Sequence, residues 1–140
     1  MDRYKRTEQR LRDIYFEEGY LEYLKRSLEI LEYEYGAKGI SYDKIGGSTG
    51  TSDDTGELAA RLADERIRLE LQIMRTEHRI TYLRDTIGRL TEDEASIIQL
   101  YYLKNYPIYK IASELNTSIP TIKRIKGRAM NRLIKGLYGE

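Results

Sequence analysis

The residue types best suited to chemistry in this sequence are the cations near its end. Residues 101–140 contain eight Lys or Arg and only two acids, which gives this segment a net charge of +6. Because the whole chain of 140 residues has a net charge of +1, residues 1–100 carry −5. The eight cations are Lys104, Lys110, Lys123, Arg124, Lys126, Arg128, Arg132 and Lys135. A basic end on an otherwise acidic chain indicates a localised site for a polyanion.

Other kinds of chemical site are disfavoured by residues that the sequence lacks or isolates. The chain has no cysteine, which excludes disulfides, thiolate catalysis and zinc sites with cysteine ligands. Its single histidine, His78, cannot build a metal site alone. Acid pairs such as Glu17-Glu18 and Asp53-Asp54 lack a base, a nucleophile and an enclosing pocket. We therefore predict a protein without enzyme activity, metal or cofactor.

The sequence also predicts no segment for export or for a membrane. Its first residues are charged and no apolar stretch follows them, which is unlike a secretory signal. No window of about eighteen residues is free of charge, as a membrane-spanning helix would require. We therefore expect a cytoplasmic protein that does not bind membranes.

Two long amphipathic helices are predicted for the first two thirds of the chain. Apolar residues at spacings of three and four predict helices over about 4–35 and 57–88. The six glycines of residues 36–56 predict a flexible loop, which lacks the Gly-Lys-Ser/Thr ending of a P-loop. Residues 54–57 (Asp-Thr-Gly-Glu) fit a capping box for the second helix. The two apolar stripes consist of Ile14, Leu21, Leu24, Leu28, Leu31 and Tyr35, and of Leu62, Leu69, Ile73, Ile80, Leu83 and Ile87.

These two helices and their single loop predict an antiparallel hairpin. Two narrow apolar stripes bury little surface by themselves. We therefore expect the hairpin to form a homo-oligomer, a dimer or larger, or to dock on the C-terminal domain. Polar residues interrupt the stripes at Glu17, Arg66 and Thr76, where they are placed to fix register or oligomeric state.

After residue 90 the predicted helices become short. Thr91 and Glu94 have the spacing of a capping box, which marks the start of a helix. Helices are predicted over residues 92–103 and 107–115, with a turn at 116–117.

The last helix begins with a hydroxyl cap. Ser118 is its predicted N-cap, and Pro120 lies in the first turn, where its missing N–H costs nothing. A helix of about eight residues, a short turn and a capped second helix are the layout of a helix-turn-helix. Ala112 is small at the position where the two helices would cross closely.

This layout predicts that the last helix binds double-stranded DNA. Its first turn is expected in the major groove, with Ile119, Thr121 and Arg124 nearest the base edges. The other cations are better placed for phosphates, which supply affinity and salt dependence. Seven of the eight C-terminal cations are expected to have no nearby acid to balance them. The predicted site comprises Lys110, Ser118, Ile119, Thr121, Lys123, Arg124, Arg128 and Arg132.

The same residues resemble a known family. The segments that carry the resemblance are residues 90–94 (LTEDE), 97–102 (IIQLYY), 109–115 (YKIASEL), Ser118, 121–124 (TIKR) and 128–133 (RAMNRL). Together they resemble region 4 of bacterial sigma-70-type factors, over about a third of the chain. The resemblance implies a module that binds promoter DNA, as region 4 binds the −35 element. Lys110 stands where the family usually has an acid, and Ile119 and Pro120 stand where it often has polar base readers.

The chain as a whole is similar to small regulators of the ArpU/RinA type. A helical hairpin with a Gly-rich loop, residues 42–48 (YDKIGGS), precedes a sigma region 4-like end in both. Such regulators come from phages and prophages of Gram-positive bacteria. The resemblance implies a late-gene activator in a bacterial host cell, with RNA polymerase as a possible partner. Two other classes stay open: a DNA-packaging protein that resembles a terminase small subunit, and an adaptor that binds polymerase or a sigma factor.

The predicted fold is all-α, a long antiparallel helical hairpin followed by a small helix-turn-helix domain. Residues 1–89 are assigned to the hairpin, as an arm for oligomerisation or for a partner. Residues 90–140 are assigned to the DNA-binding domain.

Overall fold

The computed structural model describes residues 2–34 and 52–139, with the side chains of 52–55 excepted. Every element in these ranges is a helix, which confirms the predicted all-α class. None of these helices is long and apolar enough to cross a membrane. The elements are α1 (Arg3–Arg12), α2 (Ile14–Tyr33), α3 (Ser52–Gly88), α4 (Glu92–Ile98), a π-helix (Gln99–Leu103), α5 (Ile108–Glu114) and α6 (Ile119–Tyr138).

The chain divides into two compact units. The head unit consists of residues 1–18 and 79–140, and the hairpin unit consists of residues 19–78. This division differs from the predicted boundary between residues 89 and 90, because both ends of the predicted hairpin lie in the head unit. The physical reason is the packing of α1, which contacts α6 and the π-helix.

The predicted single helix over residues 4–35 is divided at Asp13. Asp2 caps α1, since its carboxylate accepts a hydrogen bond of 2.8 Å from the Lys5 N–H. The interruption at Asp13 lets both Leu11 and Ile14 become buried in the head unit. Tertiary packing therefore overrides the regular amphipathic pattern. The predicted end of this helix at Tyr35 lies outside the described residues.

The second long helix begins earlier than the sequence predicted. α3 starts at Ser52, so residues 54–57 lie within the helix and are not its cap. Ser and Asp are the residue types that helix starts favour, and they precede the predicted box. Gly56 lies within α3 at an intrinsic cost of about 1 kcal/mol relative to alanine. The remaining part of the predicted loop, residues 36–51, lies outside the described residues.

The head unit has a core to which both ends of the chain contribute. Leu11 and Ile14 from the N-terminal segment pack with Met130 and Leu133 of α6. The complete buried cluster is Leu11, Ile14, Leu83, Ile87, Ile98, Tyr102, Leu103, Ala129, Met130 and Leu133. Within this unit the start of α2 lies beside the end of α3. Ion pairs join Glu17 to Arg79 at 3.0 Å and Glu18 to Arg84 at 2.5 Å.

The hairpin unit consists of the remaining parts of α2 and α3. Leu24 and Leu69 of the predicted stripes are buried, and so is Thr76, one of the polar interruptions. Arg66, another interruption, forms an ion pair of 3.4 Å with Glu32 on α2. Of the polar interruptions in this unit, Arg66 therefore contacts the other helix and Thr76 is buried.

Candidate nucleic-acid interface

The helix that opens the C-terminal module begins with the predicted capping box. The Glu94 N–H donates to the Thr91 hydroxyl at 3.3 Å, and the Thr91 N–H donates to the Glu94 carboxylate at 3.0 Å. These reciprocal bonds satisfy two N–H groups that the first turn would otherwise leave unpaired. The capping box therefore fixes both the start of α4 and the position of the Glu94 side chain.

The predicted helix over residues 92–103 changes its winding at Gln99. α4 gives way to a π-helix, in which the Lys104 N–H donates to the Gln99 carbonyl at 2.9 Å. Tyr102 is buried in the head core. The centroid of its ring lies 4.8 Å from that of the Tyr101 ring, and the two rings pack edge to face. The π-helix therefore places two adjacent aromatic side chains, Tyr101 and Tyr102, in contact with the head core.

The helix-turn-helix itself is formed by α5 and α6. Ile111 and Ala112 of α5 pack against Ile122 of α6 in a second buried cluster. The turn has Asn116 in the left-handed region (φ 51°), a conformation that asparagine tolerates better than most residues. A hydrogen bond of 2.9 Å from the Thr117 N–H to the Ala112 carbonyl closes it. The small side chain at Ala112 therefore lies at the helix crossing, as the sequence predicted.

The recognition helix α6 starts with the predicted cap. The Ser118 hydroxyl accepts a hydrogen bond of 3.4 Å from the Thr121 N–H, and the two hydroxyls lie 2.8 Å apart. Thr121, whose hydroxyl takes part in this cap, is half-buried. Ile119, in contrast, is 41% exposed.

Two cations near the start of α6 are exposed to solvent. Lys123 and Arg124 are exposed, and Lys110 on the preceding helix is exposed as well. The Lys110 ammonium lies 4.0 Å from the centroid of the Tyr106 ring. A cation held against an aromatic face keeps its charge while its side chain loses freedom. These three cations lie on the helix-turn-helix, where the sequence predicted contact with DNA.

Arg128 and Arg132 lie near an acid that the sequence analysis did not connect with them. Their Nε atoms lie 3.5 and 3.4 Å from Oε2 of Glu94, whose side chain is fully buried. The expectation that these two cations have no nearby acid is therefore wrong. No local sequence signal indicates this cluster, because the π-helix and α5 lie between Glu94 and the two arginines in the chain.

The Glu94 carboxylate remains easier to ionise than an ordinary glutamate despite its burial. Burial alone would raise its pKa. The hydrogen bonds at Thr91 and the positive charges of Arg132 and Arg128 outweigh burial and lower the pKa below its usual 4.5. Both guanidinium groups are about half exposed, so each can face the carboxylate and still be reached from solvent.

Lys126 has a different environment from the other cations of α6. Its ammonium lies 4.2 Å from the centroid of the Tyr101 ring and 5.3 Å from that of Tyr102. Burial lowers its pKa, which nearby Glu8 opposes. Lys126 therefore belongs to the packing of the module, consistent with its omission from the predicted site.

α1 is attached to the module through Tyr102. The phenol donates a hydrogen bond of 2.7 Å to a carboxylate oxygen of Glu8, and the Arg12 guanidinium lies 5.3 Å from the ring centroid. Burial, followed by this hydrogen bond, raises the pKa of Tyr102 well above its ordinary value. Sequence reasoning missed this contact, because the two residues are 94 positions apart.

Residues that could hold a metal are not brought together in the part of the chain that the structure describes. No three His, Asp or Glu side chains are close enough there to bind an ion. His78 is exposed on α3, in the hairpin unit.

Comparison with known proteins supports the geometry of this module. The family model for sigma-70, region 4, matches residues 86–135, about a third of the chain. No curated protein and no solved structure matches. The match spans α4, the π-helix, α5 and most of α6, and it contains all eight residues of the predicted site. The C-terminal part of this chain is therefore a sigma-70 region 4-like helix-turn-helix, a DNA-binding module.

Proposed function

We propose that this protein is a transcription regulator that binds promoter-region DNA through α5 and α6. The observation that carries the proposal is the basic face at the start of α6. Lys123 and Arg124 are exposed there, one turn after the Ser118 cap, while Ile122 between them and the cap is buried. A recognition helix enters the major groove with such an N-terminal face.

Two roles are assigned to the cations of the site. Arg124 is the candidate for reading a base edge, since arginine can donate two parallel hydrogen bonds to guanine. Lys110, Lys123, Arg128 and Arg132 are the candidates for phosphates. The ion pairs of Arg128 and Arg132 with Glu94 support this assignment, because they hold the two guanidinium groups on one side of α6 while leaving them half exposed.

The wider biological role rests on the resemblance of the whole chain to ArpU/RinA-type regulators. On that basis the protein is proposed to act as a phage or prophage late-gene activator, without a catalytic role. RNA polymerase is the proposed second partner if the chain binds as a single copy, since one helix-turn-helix needs added affinity from another protein, whereas a dimer would need paired half-sites.

An adaptor that binds polymerase or a sigma factor is the second candidate. The observation in its favour is the apolar surface of the helix-turn-helix, where Tyr109 is 69% exposed and Ile119 is 41% exposed. Aromatic and aliphatic side chains at such exposure are common at protein interfaces. In this case the basic face would meet an acidic protein surface.

A binding titration separates the two candidates. The purified chain would be titrated with DNA from its own upstream region and with scrambled DNA of equal length, at about 50 and 200 mM salt. A regulator is expected to prefer its own DNA and to lose at least tenfold in affinity at the higher salt, as phosphate contacts require. Arg124→Ala should remove the preference, and Lys25→Ala, an exposed cation on α2, is the matched control. Equal, weak binding to both DNAs would favour the adaptor.

A further inference from the structure

An apolar stripe on the hairpin unit faces away from the hairpin core. Ile67, Leu71 and Met74 of α3 are 62%, 40% and 64% exposed. With 3.6 residues per turn, they lie on the side of α3 opposite to buried Leu69, which faces α2. We call Ile67, Leu71 and Met74 the outer stripe. Such a stripe is unusual on a helix whose other face is already packed.

The spacing of the outer stripe is that of a coiled-coil seam. The intervals of four and three residues continue in both directions, to Ala60 and Asp64 before it and to position 78 after it. In heptad terms, Leu71 takes an a position, and Ile67 and Met74 take d positions. A seam of this kind buries side chains from a second helix, and within residues 19–34 and 52–78 of the hairpin unit no second helix lies on this side of α3.

Charges flank the outer stripe with opposite signs on its two sides. Arg61, Arg68 and Arg75 occupy the e positions, whereas Glu70 and Glu77 occupy g positions. All five are exposed. Arg68 pairs with Glu65, and Glu70 pairs with Arg66, both along the same helix. Exposed pairs of this kind are weak and exchange readily for partners on another helix.

This charge pattern identifies the partner as a second copy of the same helix. In a parallel pair, each g residue lies beside the following e residue of the other helix. Glu70 of one copy then meets Arg75 of the other, and the reciprocal pair forms as well. An antiparallel pair would place arginine beside arginine and glutamate beside glutamate. We propose that the outer stripe of α3 binds the outer stripe of a second copy, in parallel and in register.

The seam is short, which limits the strength of the pairing. Its apolar part contains three layers, and Asp64 of one copy would face Asp64 of the other just before it. We therefore expect a reversible dimer with a dissociation constant on the order of micromolar, at the weak end of specific interfaces.

If the chain binds DNA as proposed above, parallel pairing would place two DNA-binding segments in one dimer. The two α3 helices would end on the same side of the dimer, and the sigma region 4-like segment follows α3 in each chain. Two recognition helices supplied from one end match a DNA site with two half-sites. Dimerisation would then raise DNA affinity by linking the two contacts.

Sedimentation equilibrium of the full chain over a range of concentrations tests the interface. The natural chain should dimerise, and Ile67→Lys should raise the dissociation constant at least about tenfold, because each copy buries a charge in the seam. Ile30→Lys is the matched control, since Ile30 is equally exposed (60%) but lies on α2. A natural chain that stays monomeric, or equal weakening by both variants, would overturn the proposal.

Three further variants test the orientation. Glu70→Arg should weaken the dimer about three- to tenfold, and adding Arg75→Glu in the same chain should restore it, because the reciprocal pair is rebuilt.

The chain has no cysteine, so Met74→Cys introduces a single thiol. In a parallel dimer the two thiols face each other and should form a disulfide on mild oxidation. A dimer that neither responds to the swap nor forms this disulfide is not paired in parallel through the outer stripe.

The dimer and the proposed DNA binding can each fail without the other. A chain that binds its DNA selectively but stays monomeric would overturn the dimer alone. A dimer that shows no salt-sensitive DNA binding would overturn the proposed function alone.

Discussion

At the scale of single residues, the cations of α6 fall into two groups according to their surroundings. Lys123 and Arg124 are exposed beside the N-cap, where they meet a ligand first. Arg128 and Arg132 lie against buried Glu94. In the proposed function the first group reads a base edge and the second contacts phosphates. The acid beside Arg128 and Arg132 would then restrict their movement and reduce the entropy that a phosphate contact costs.

Arg124 and Arg128 are expected to differ in what their loss does to DNA binding. Arg124→Ala should reduce affinity for the preferred site by about 1–3 kcal/mol and leave scrambled DNA almost unchanged. Arg128→Ala should weaken both DNAs alike and lower the salt slope by about one. Titrations at several salt concentrations measure both quantities. Equal loss of discrimination in the two variants would show that the roles are assigned wrongly.

Glu94 is expected to make folding sensitive to acid. Its pKa is lowered in the folded state, so its contribution to stability is present above pH 4.5 and is lost as pH falls through the folded pKa. Glu94→Gln should cost about 1–3 kcal/mol at pH 7, because the two arginines lose their counter-charge. The same variant should lose less stability than the natural chain between pH 5 and about 3.

Urea unfolding across that pH range measures the effect. Glu92→Gln is the matched control, since Glu92 is exposed in the same helical turn and should change stability by less than about 0.5 kcal/mol. Identical acid sensitivity of the natural chain and Glu94→Gln would mean that other carboxylates govern acid unfolding.

At the scale of elements, the sequence predicted well where local hydrogen bonds decide the structure. The caps at Thr91 and Ser118 were predicted because side chain and backbone partners lie within three residues of each other. The division at Asp13 and the π-helix were not, because burial against distant elements decides them. Tyr102 meets Glu8 across 94 positions, and no local pattern encodes such a contact.

At the candidate site, too, contacts between distant elements could not be predicted from the sequence. Its position on α5 and α6 followed from the helix-turn-helix layout, and the family match contains every predicted residue. The link between Glu94 and Arg132 could not be predicted from the helical pattern, since it joins two elements separated by the whole of α5. Sequence reasoning therefore predicted a surface on α5 and α6, which stays a prediction, and missed the contact of Glu94 with two of its cations.

Two glycines of α6 are expected to respond oppositely to alanine. A Cβ at Gly136 would lie 2.8 Å from the Thr86 methyl group, and the Gly136 carbonyl accepts a hydrogen bond of 2.7 Å from the Tyr82 hydroxyl. Gly136→Ala should destabilise by about 1–3 kcal/mol through this overlap. Gly127→Ala is the control, because nothing lies within 4 Å of a Cβ there. It should stabilise by about 0.5–1 kcal/mol through helix propensity.

Thermal unfolding of the two variants distinguishes these effects. A rise in the Tm of Gly136→Ala would show that Thr86 can move aside at little cost. The close approach of α6 to α3 in the head unit would then not depend on glycine.

At the scale of the whole molecule, the DNA-binding module is completed by residues far from it in sequence. The head unit combines residues 1–18 with 79–140, whereas the family match covers only residues 86–135. Leu11 and Ile14 are fully buried in the same cluster as Met130 and Leu133 of the recognition helix. The stability of the recognition helix is therefore expected to depend on α1, although α1 carries none of the predicted DNA contacts.

Leu11→Ala tests this dependence. Truncating a fully buried leucine should cost about 2–5 kcal/mol of unfolding free energy, whereas Ile30→Ala, at an exposed position of the hairpin unit, should cost less than about 0.5 kcal/mol. Urea unfolding followed by tyrosine fluorescence and DNA binding measured in the same urea series should lose their signals together in the Leu11 variant. DNA binding that persists after the Leu11 variant has lost its tertiary signal would show that residues 86–135 fold and act without α1. If the two transitions coincide, the N-terminal segment belongs to the DNA-binding unit, and a ligand of α1 could regulate DNA binding by stabilising or releasing it.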